Sequence, residues 1–179
     1  NKLTNIQIPN SVTHICLGAF RHNELTNIQI PNSVTHIGET AFNNNKLTSI
    51  VIPNSAKFIS NNAFSKNELT SALIPNSVTF ISSSVFGGNK LTSIIIPNSV
   101  THIQKNAFYK NALTNIIIPE KFKTEMEIQS IFGFSLDELH HRNREHIREH
   151  IRPFLPFHMY LSDIIIDYIY GSVIQDKKW

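Results

Sequence analysis

The chain has 179 residues, of which 41% are hydrophobic and 16% charged, with a formal net charge of +3. That is enough apolar material for a packed core and excludes a disordered chain. No run of about 18 apolar residues occurs, Ile164 to Ile166 being bracketed by Asp163 and Asp167, so no membrane-spanning helix is expected. One cysteine, Cys16, rules out an internal disulfide framework. Residues 1–118 carry eight Lys and Arg against three acids, and residues 119–179 carry eight against ten. Neither part holds a block of like charge, and nucleic-acid binding, which needs clustered Lys and Arg, is not expected. The start at Asn1, in mid-repeat and without methionine, reads as a fragment or a processed form.

A 22-residue unit recurs without insertion. Pro9, Pro31, Pro53, Pro75, Pro97 and Pro119 are evenly spaced, as are Leu3, Leu25, Leu47, Leu69, Leu91 and Leu113. Phe20, Phe42, Phe64, Phe86 and Phe108 keep the same step. A unit this short cannot bury its own apolar face, so the copies must stack as coils of a solenoid. Function in such a chain lies on repeated surfaces, which points to binding before chemistry.

The second unit, residues 25–46, shows how a coil is built. Its opening alternates as a half-buried strand does, with Leu25, Ile28 and Ile30 inward and Asn27 and Gln29 outward. Pro31 lacks an N–H and ends the strand, and Asn32-Ser33 supply turn chemistry. A second extended piece puts Val34 and Ile37 into the core; Ala41 and Phe42 close the coil. The column Asn23, Asn45, Asn67, Asn89 and Asn111 reads as buried amides bonding the turn backbone of neighbouring coils, because an unpaired buried amide costs a few kcal/mol.

These residues resemble the leucine-rich repeat subclass of BspA-like surface proteins and the Treponema pallidum repeats, whose pattern is L-x-x-I-x-I-P-x-S-V-x-x-I-G-x-x-A-F-x-x-C. The match covers residues 1–119. Asn stands where that family usually has Cys, and the family Gly is kept only at Gly38, being Cys16, Ser60, Ser82 and Gln104 elsewhere. Ala72 replaces the inward Ile of the fourth strand, leaving either a small void or a place where the coil flexes. The resemblance implies an α/β-type solenoid with a parallel sheet face, used for protein–protein contact or adhesion in secreted or surface proteins and some pathogen effectors.

Two outward strand columns define the candidate partner-binding face. Asn5, Asn27, Ser49, Ser71, Ser93 and Asn115 form a small polar column. Beside it, Gln7, Gln29, Val51, Leu73, Ile95 and Ile117 change from amide to aliphatic along the array. With strands about 4.8 Å apart, the last four make an apolar ladder roughly 15 Å long. Such a stripe reads as an interface with another protein, as a surface covered by the C-terminal segment, or as plain strand preference. A third column, His14, His36, Phe58, Phe80 and His102, reads as surface aromatic stacking; two Phe interrupt it, and zinc wants three or four converging ligands.

The template breaks after Pro119, so the chain divides into a repeat solenoid over 1–119 and an α-helical cap over 120–179. A short helix over 120–132 is ended by Gly133. Ser135 to Glu138 is a capping box opening a helix to about Arg152, and a last helix runs from Pro156 to about Tyr170 with its apolar faces needing burial. His146 to His150 fits the inverted-zincin H-x-x-E-H pattern, but Arg-Glu-His-Ile written twice produces the same letters. Leu155-Pro156 with the following apolar helix faintly resembles the opening of an F-box, which implies a ubiquitin-ligase adaptor, yet the chain is too short beyond it.

No nucleophile elbow or Gly-rich phosphate loop is present. The expectation is therefore a non-enzymatic module without cofactor, metal or small-molecule substrate, binding a protein through Ser49, Val51, Ser71, Leu73, Ser93, Ile95, Asn115 and Ile117. It would act as an effector that masks another protein or, alternatively, as an extracellular adhesin.

Overall fold

The computed structural model describes residues 2–122, 124–135, 137–139, 141 and 142. The six coils stack in parallel with residues 22 apart opposite each other. On one side lie the three-residue strands β3 (Ser49–Val51), β5 (Ser71–Leu73), β7 (Ser93–Ile95) and β9 (Asn115–Ile117). On a second side lie β1 (His14–Ile15), β2 (His36–Ile37), β4 (Phe58–Ile59), β6 (Phe80–Ile81) and β8 (His102–Ile103). Ser49 pairs Ser71 and His14 pairs His36, in the register the period demands. This is the expected parallel-sheet solenoid.

The inward positions are those the alternation assigns. Leu25, Val34, Ala41 and Phe42 are completely buried, and Ile28, Ile30 and Ile37 nearly so. A third line of backbone bonds runs along the Ala-Phe turns: the Phe20, Phe42 and Phe86 amides donate to Ala41, Ala63 and Ala107 at 2.8–2.9 Å. The Phe rings stack behind it with centroids 5.3–5.8 Å apart. One expectation fails in part. The opening segments of the first two coils bury Ile8, Ile28 and Ile30 but form no strand, whereas on this side paired strands begin at β3. That is where the outward residue changes from Gln to an aliphatic side chain, which fits a pleated surface better.

The asparagine column does what its burial requires. The Asn67 Oδ1 accepts from the Leu47 amide at 3.1 Å, and its Nδ2 donates to the Phe42 carbonyl (2.9 Å) and the Phe64 carbonyl (3.1 Å). Asn45 and Asn89 repeat the three bonds one coil away. Each amide thus ties its own turn to the turn before. Glycine is needed at Gly38, where a Cβ would lie 2.6 Å from the Cys16 carbonyl carbon. Each of the first five coils also has two left-handed residues, as at Thr40 (φ 53°) and Asn44 (φ 58°) in the second.

A charge column was not foreseen. Glu24 lies between Lys2 (3.5 Å) and Lys46 (3.1 Å), and Lys90 reaches Glu68 at 2.7 Å. Signs alternate along the stack, so each coil meets an opposite charge at one-coil register. The Lys46 hydrogen bond and charge, then those of Lys2, hold the Glu24 carboxyl below its usual range; Lys90 does the same for Glu68.

After the last coil a single 3-10 turn (Glu120–Phe122) leads to α1 (Glu125–Phe132). Thr124 caps it, its Oγ1 accepting from the Glu127 amide, and Gly133 ends it in the left-handed region. Helix α1 continues the coil pattern. Phe132 stacks on Phe108 at 5.5 Å, and the Ser130 and Ile131 carbonyls, orphaned by the helix end, accept from the Asn106 and Phe108 amides. The Ser135 Oγ accepts from the Glu138 amide as a capping box does, and the Arg142 Nη1 donates to the Leu113 carbonyl at 2.8 Å. The remainder of that helix, the helix expected from Pro156, the His146–His150 motif and the F-box-like segment lie outside the described residues.

Replacing Asn67 with Ala leaves the buried Leu47 amide without a partner and takes one of two donors from each of the Phe42 and Phe64 carbonyls, and should cost about 1–3 kcal/mol in urea unfolding, against less than about 0.5 for the exposed Asn27→Ala. Thr40→Asn, which puts the residue of Asn62 and Asn106 at the same left-handed site, should stabilise by up to about 1 kcal/mol, because a β-branched residue is disfavoured there. For the charge column, folded carboxyls below the usual value near 4.5 mean that the unfolded state binds more protons in between. Its stabilisation is therefore full above that value and is lost as pH falls through the lowered range. Glu24→Gln/Glu68→Gln should flatten that part of a stability–pH profile, and an unchanged acid limb would refute the coupling.

Candidate protein-binding face

The aliphatic column stands out from the first sheet side. Val51, Leu73 and Ile95 are 63–64% exposed and Ile117 is 50% exposed, high values for aliphatic side chains in strands. The inward neighbours Ile50, Ile94 and Ile116 are buried, so the strand pleat separates the two sets. Ser49, Ser71 and Ser93 are exposed in the adjacent column, and Asn115 is half-buried. All eight residues expected from sequence therefore share one face. The described C-terminal residues leave that face open.

The face has relief that sequence reasoning missed. A depression of about 470 Å³ runs between Val51, Leu73 and Ile95 on one side and the Pro53, Pro75 and Pro97 turns on the other. Asn54 and Asn76 add exposed side-chain amides at its edge. Its sequence signal was the repeated Pro-Asn pair, which was read as strand end and turn and not as a wall beside the ladder. The floor is apolar and the rim polar but uncharged, which suits an apolar segment whose own polar groups need partners at the edge.

The ladder is not continuous, contrary to the simple stacking picture. Val51 pairs with Leu73 and Ile95 with Ile117, but among the described residues β5 and β7 are not paired. The inward residue of β5 is Ala72, half-buried where the other strands carry a buried Ile. A shorter side chain anchors that strand less firmly to the core.

The aromatic column on the second side stacks as expected. The His14 and His36 rings lie 4.3 Å apart at 9°, and the His36 and Phe58 rings 4.9 Å apart at 21°. Thr35 Oγ1 donates to the Thr13 carbonyl and is hydrogen-bonded to the His36 Nδ1 at 2.8 Å. Thr101 and His102 repeat this arrangement. Among the described residues no three His, Cys, Asp or Glu side chains converge as a metal site, and no helix is long and apolar enough to cross a membrane. Cys16 is exposed at the position Gly38 occupies one coil on, and among the described residues no side chain is hydrogen-bonded to its thiol.

Comparison with known proteins agrees with the coil geometry. A family model described as BspA type leucine rich repeat region matches in six copies, over residues 1–114 and 57–130. The chain is similar to a leucine-rich repeat protein from Bacteroides ovatus, with 28% identity and a TM-score of 0.57 over 63% of this chain and 30% of that one. It is also similar to a leucine rich cell surface protein from Faecalibacterium prausnitzii, at 21% identity and a TM-score of 0.35, over 71% of this chain and 56% of the other. The chain thus spans about a third and about half of the lengths of these two proteins. No curated protein matches it. The repeat pattern, the six matched copies and the parallel coils place the chain in the BspA-type leucine-rich repeat family.

Proposed function

We propose that this chain is a non-enzymatic module that binds a protein through the first sheet side, with Val51, Leu73, Ile95 and Ile117 as the apolar centre and Ser49, Ser71, Ser93 and Asn115 as the polar border. The observation that carries this reading is the set of four aliphatic side chains in coil register, each half or more exposed. A stripe of that kind beside a polar-rimmed depression is what protein interfaces use: an apolar centre inside a hydrogen-bonding rim. The binding side chains stand on short strands tied to a packed core, so docking loses less ordering entropy than it would on a loop. Residues 1–119 serve as the binding array in this reading and 120–179 as its cap.

In a narrower form, the partner is an enzyme whose active site the face covers, as an effector would do. The second reading is an extracellular adhesin, favoured by membership of a family that includes surface proteins; its partner is then a protein on another cell.

Ile95→Gln/Ile117→Gln removes apolar surface worth about 1.5–3 kcal/mol per fully buried side chain, so affinity for a protein captured by the unaltered chain should fall at least about ten-fold. Thermal stability should stay near that of the parent, because both side chains already face solvent. Undiminished binding would remove the face, and a collapse in stability would show the column to be core.

A further inference from the structure

The fourth coil, residues 69–90, is joined to both neighbours on one side of the solenoid and to only one neighbour on each of the other two. On the second side β4 and β6 are unpaired among the described residues, although β1, β2 and β4 form one sheet and β6 and β8 another. The backbone amides around this gap show the same break, with the Ser82 hydroxyl donating across it to the Ile59 carbonyl. The Thr35, Lys57 and Thr101 amides donate to the Thr13, Thr35 and Thr79 carbonyls at 2.7–2.9 Å, and among the described residues Thr79 makes no such bond to Lys57. Ser33, Ser55 and Ser99 donate to the Val12, Val34 and Val78 carbonyls, whereas the Ser77 Oγ is buried without a partner beside the coil that carries Ala56.

On the first side the gap falls one coil later, between β5 and β7. The Thr70 and Thr114 amides reach Thr48 and Thr92 at 2.9 Å, but among the described residues Thr92 makes no bond to Thr70. The third side is unbroken. The Phe64 and Phe86 amides donate to Val85 and Ala107, and the Asn89 and Asn111 side chains hold the Phe64 and Phe86 carbonyls at 3.0 Å. Three departures from the repeat sit at these gaps: Ala56 for Val, Lys57 for Thr and Ala72 for Ile. Two of them shorten inward side chains, and all three lie on the two open sides.

We propose that the fourth coil is a hinge, about which the coils before Leu69 and those after Lys90 pivot along the continuous phenylalanine–asparagine seam. Each of the two junctions is bonded on two sides and open on one, the two openings lie on different sides, and the seam is the bonded edge they share, which makes it the axis. The aliphatic ladder then consists of two blocks, Val51 with Leu73 and Ile95 with Ile117, and the depression between Val51 and Ile95 spans the joint. Pivoting changes the width of that depression and lets the face adapt to its partner. The hinge stands on the hydrogen-bond pattern alone, and only its use in docking rests on the function proposed above.

The test is solution NMR of the whole chain. Residual dipolar couplings from residues 25–66 and from residues 91–118 should require two alignment tensors of different magnitude. The Thr79 and Thr92 amides should exchange at least about ten-fold faster than those of Lys57 and Thr70, which are bonded at the same places one coil earlier. In Ala56→Val/Ala72→Ile, which restores the repeat side chains, the two tensors should converge. A single tensor fitting both blocks of the unaltered chain overturns the hinge, whatever the exchange rates. Loss of partner binding with two tensors retained bears on the docking face alone.

Discussion

The buried asparagine amide is the constraint on which the rest of the structure depends. A 22-residue coil returns the backbone to its starting point with polar turn groups facing inward, and those groups need partners inside the stack. The Asn67 side chain supplies three bonds at once, to one amide and two carbonyls, and those to Leu47 and Phe42 join positions 20 and 25 residues away. A coil slipped by one residue loses these two and leaves the carboxamide half-unpaired in the core. Apolar packing drives the coils together but is nearly indifferent to small shifts; the amides make one alignment much better than its neighbours.

Every row on the surface follows from that alignment. The phenylalanines stack because the turns are superposed, and Phe132 extends the row into α1 although the repeat has ended. The Lys2–Glu24–Lys46 contacts form because residues 22 apart face each other, and at these exposed positions they add register discrimination more than stability. The same superposition lines up Val51, Leu73, Ile95 and Ile117. One unit copied with small changes thus yields faces of different chemistry: stacked ring edges on one side and an aliphatic stripe with a proline-walled depression on another. Membership of the BspA-type repeat family fits a chain whose distinctive features, among the described residues, are repeated surfaces.

Much of this was legible in the sequence because periodicity is a global signal that needs no contact information. The inward Leu, Ile, Val and Phe positions, the asparagine bonds and the co-facial set from Ser49 to Ile117 all follow from matching one unit to its copies, and the αL stop at Gly133 follows from helix-end chemistry. What escaped was whatever depends on how two copies differ. The missing strands near Asn5 and Asn27 reflect a shortfall of outward apolar residues that alternation does not register. The gaps needed Ala56 and Lys57 of the third coil and Ala72 of the fourth to be seen together on two sides of the stack, although Ala72 alone marked either a void or a flexing point. The charge column needed residues 24, 46, 68 and 90 to be viewed down the stack, where their signs alternate, and the depression needed a side-by-side view of strand and turn.

Exchange of the asparagine side-chain amides, measured by NMR on the whole chain, tests the account most directly. If the coils are clamped as described, the Nδ2 protons of Asn45, Asn67 and Asn89 exchange at least about a hundred-fold more slowly than those of the solvent-facing Asn27. Equal rates at the buried and exposed positions would mean that the amides do not hold the register, and the aligned aliphatic face would lose its physical basis.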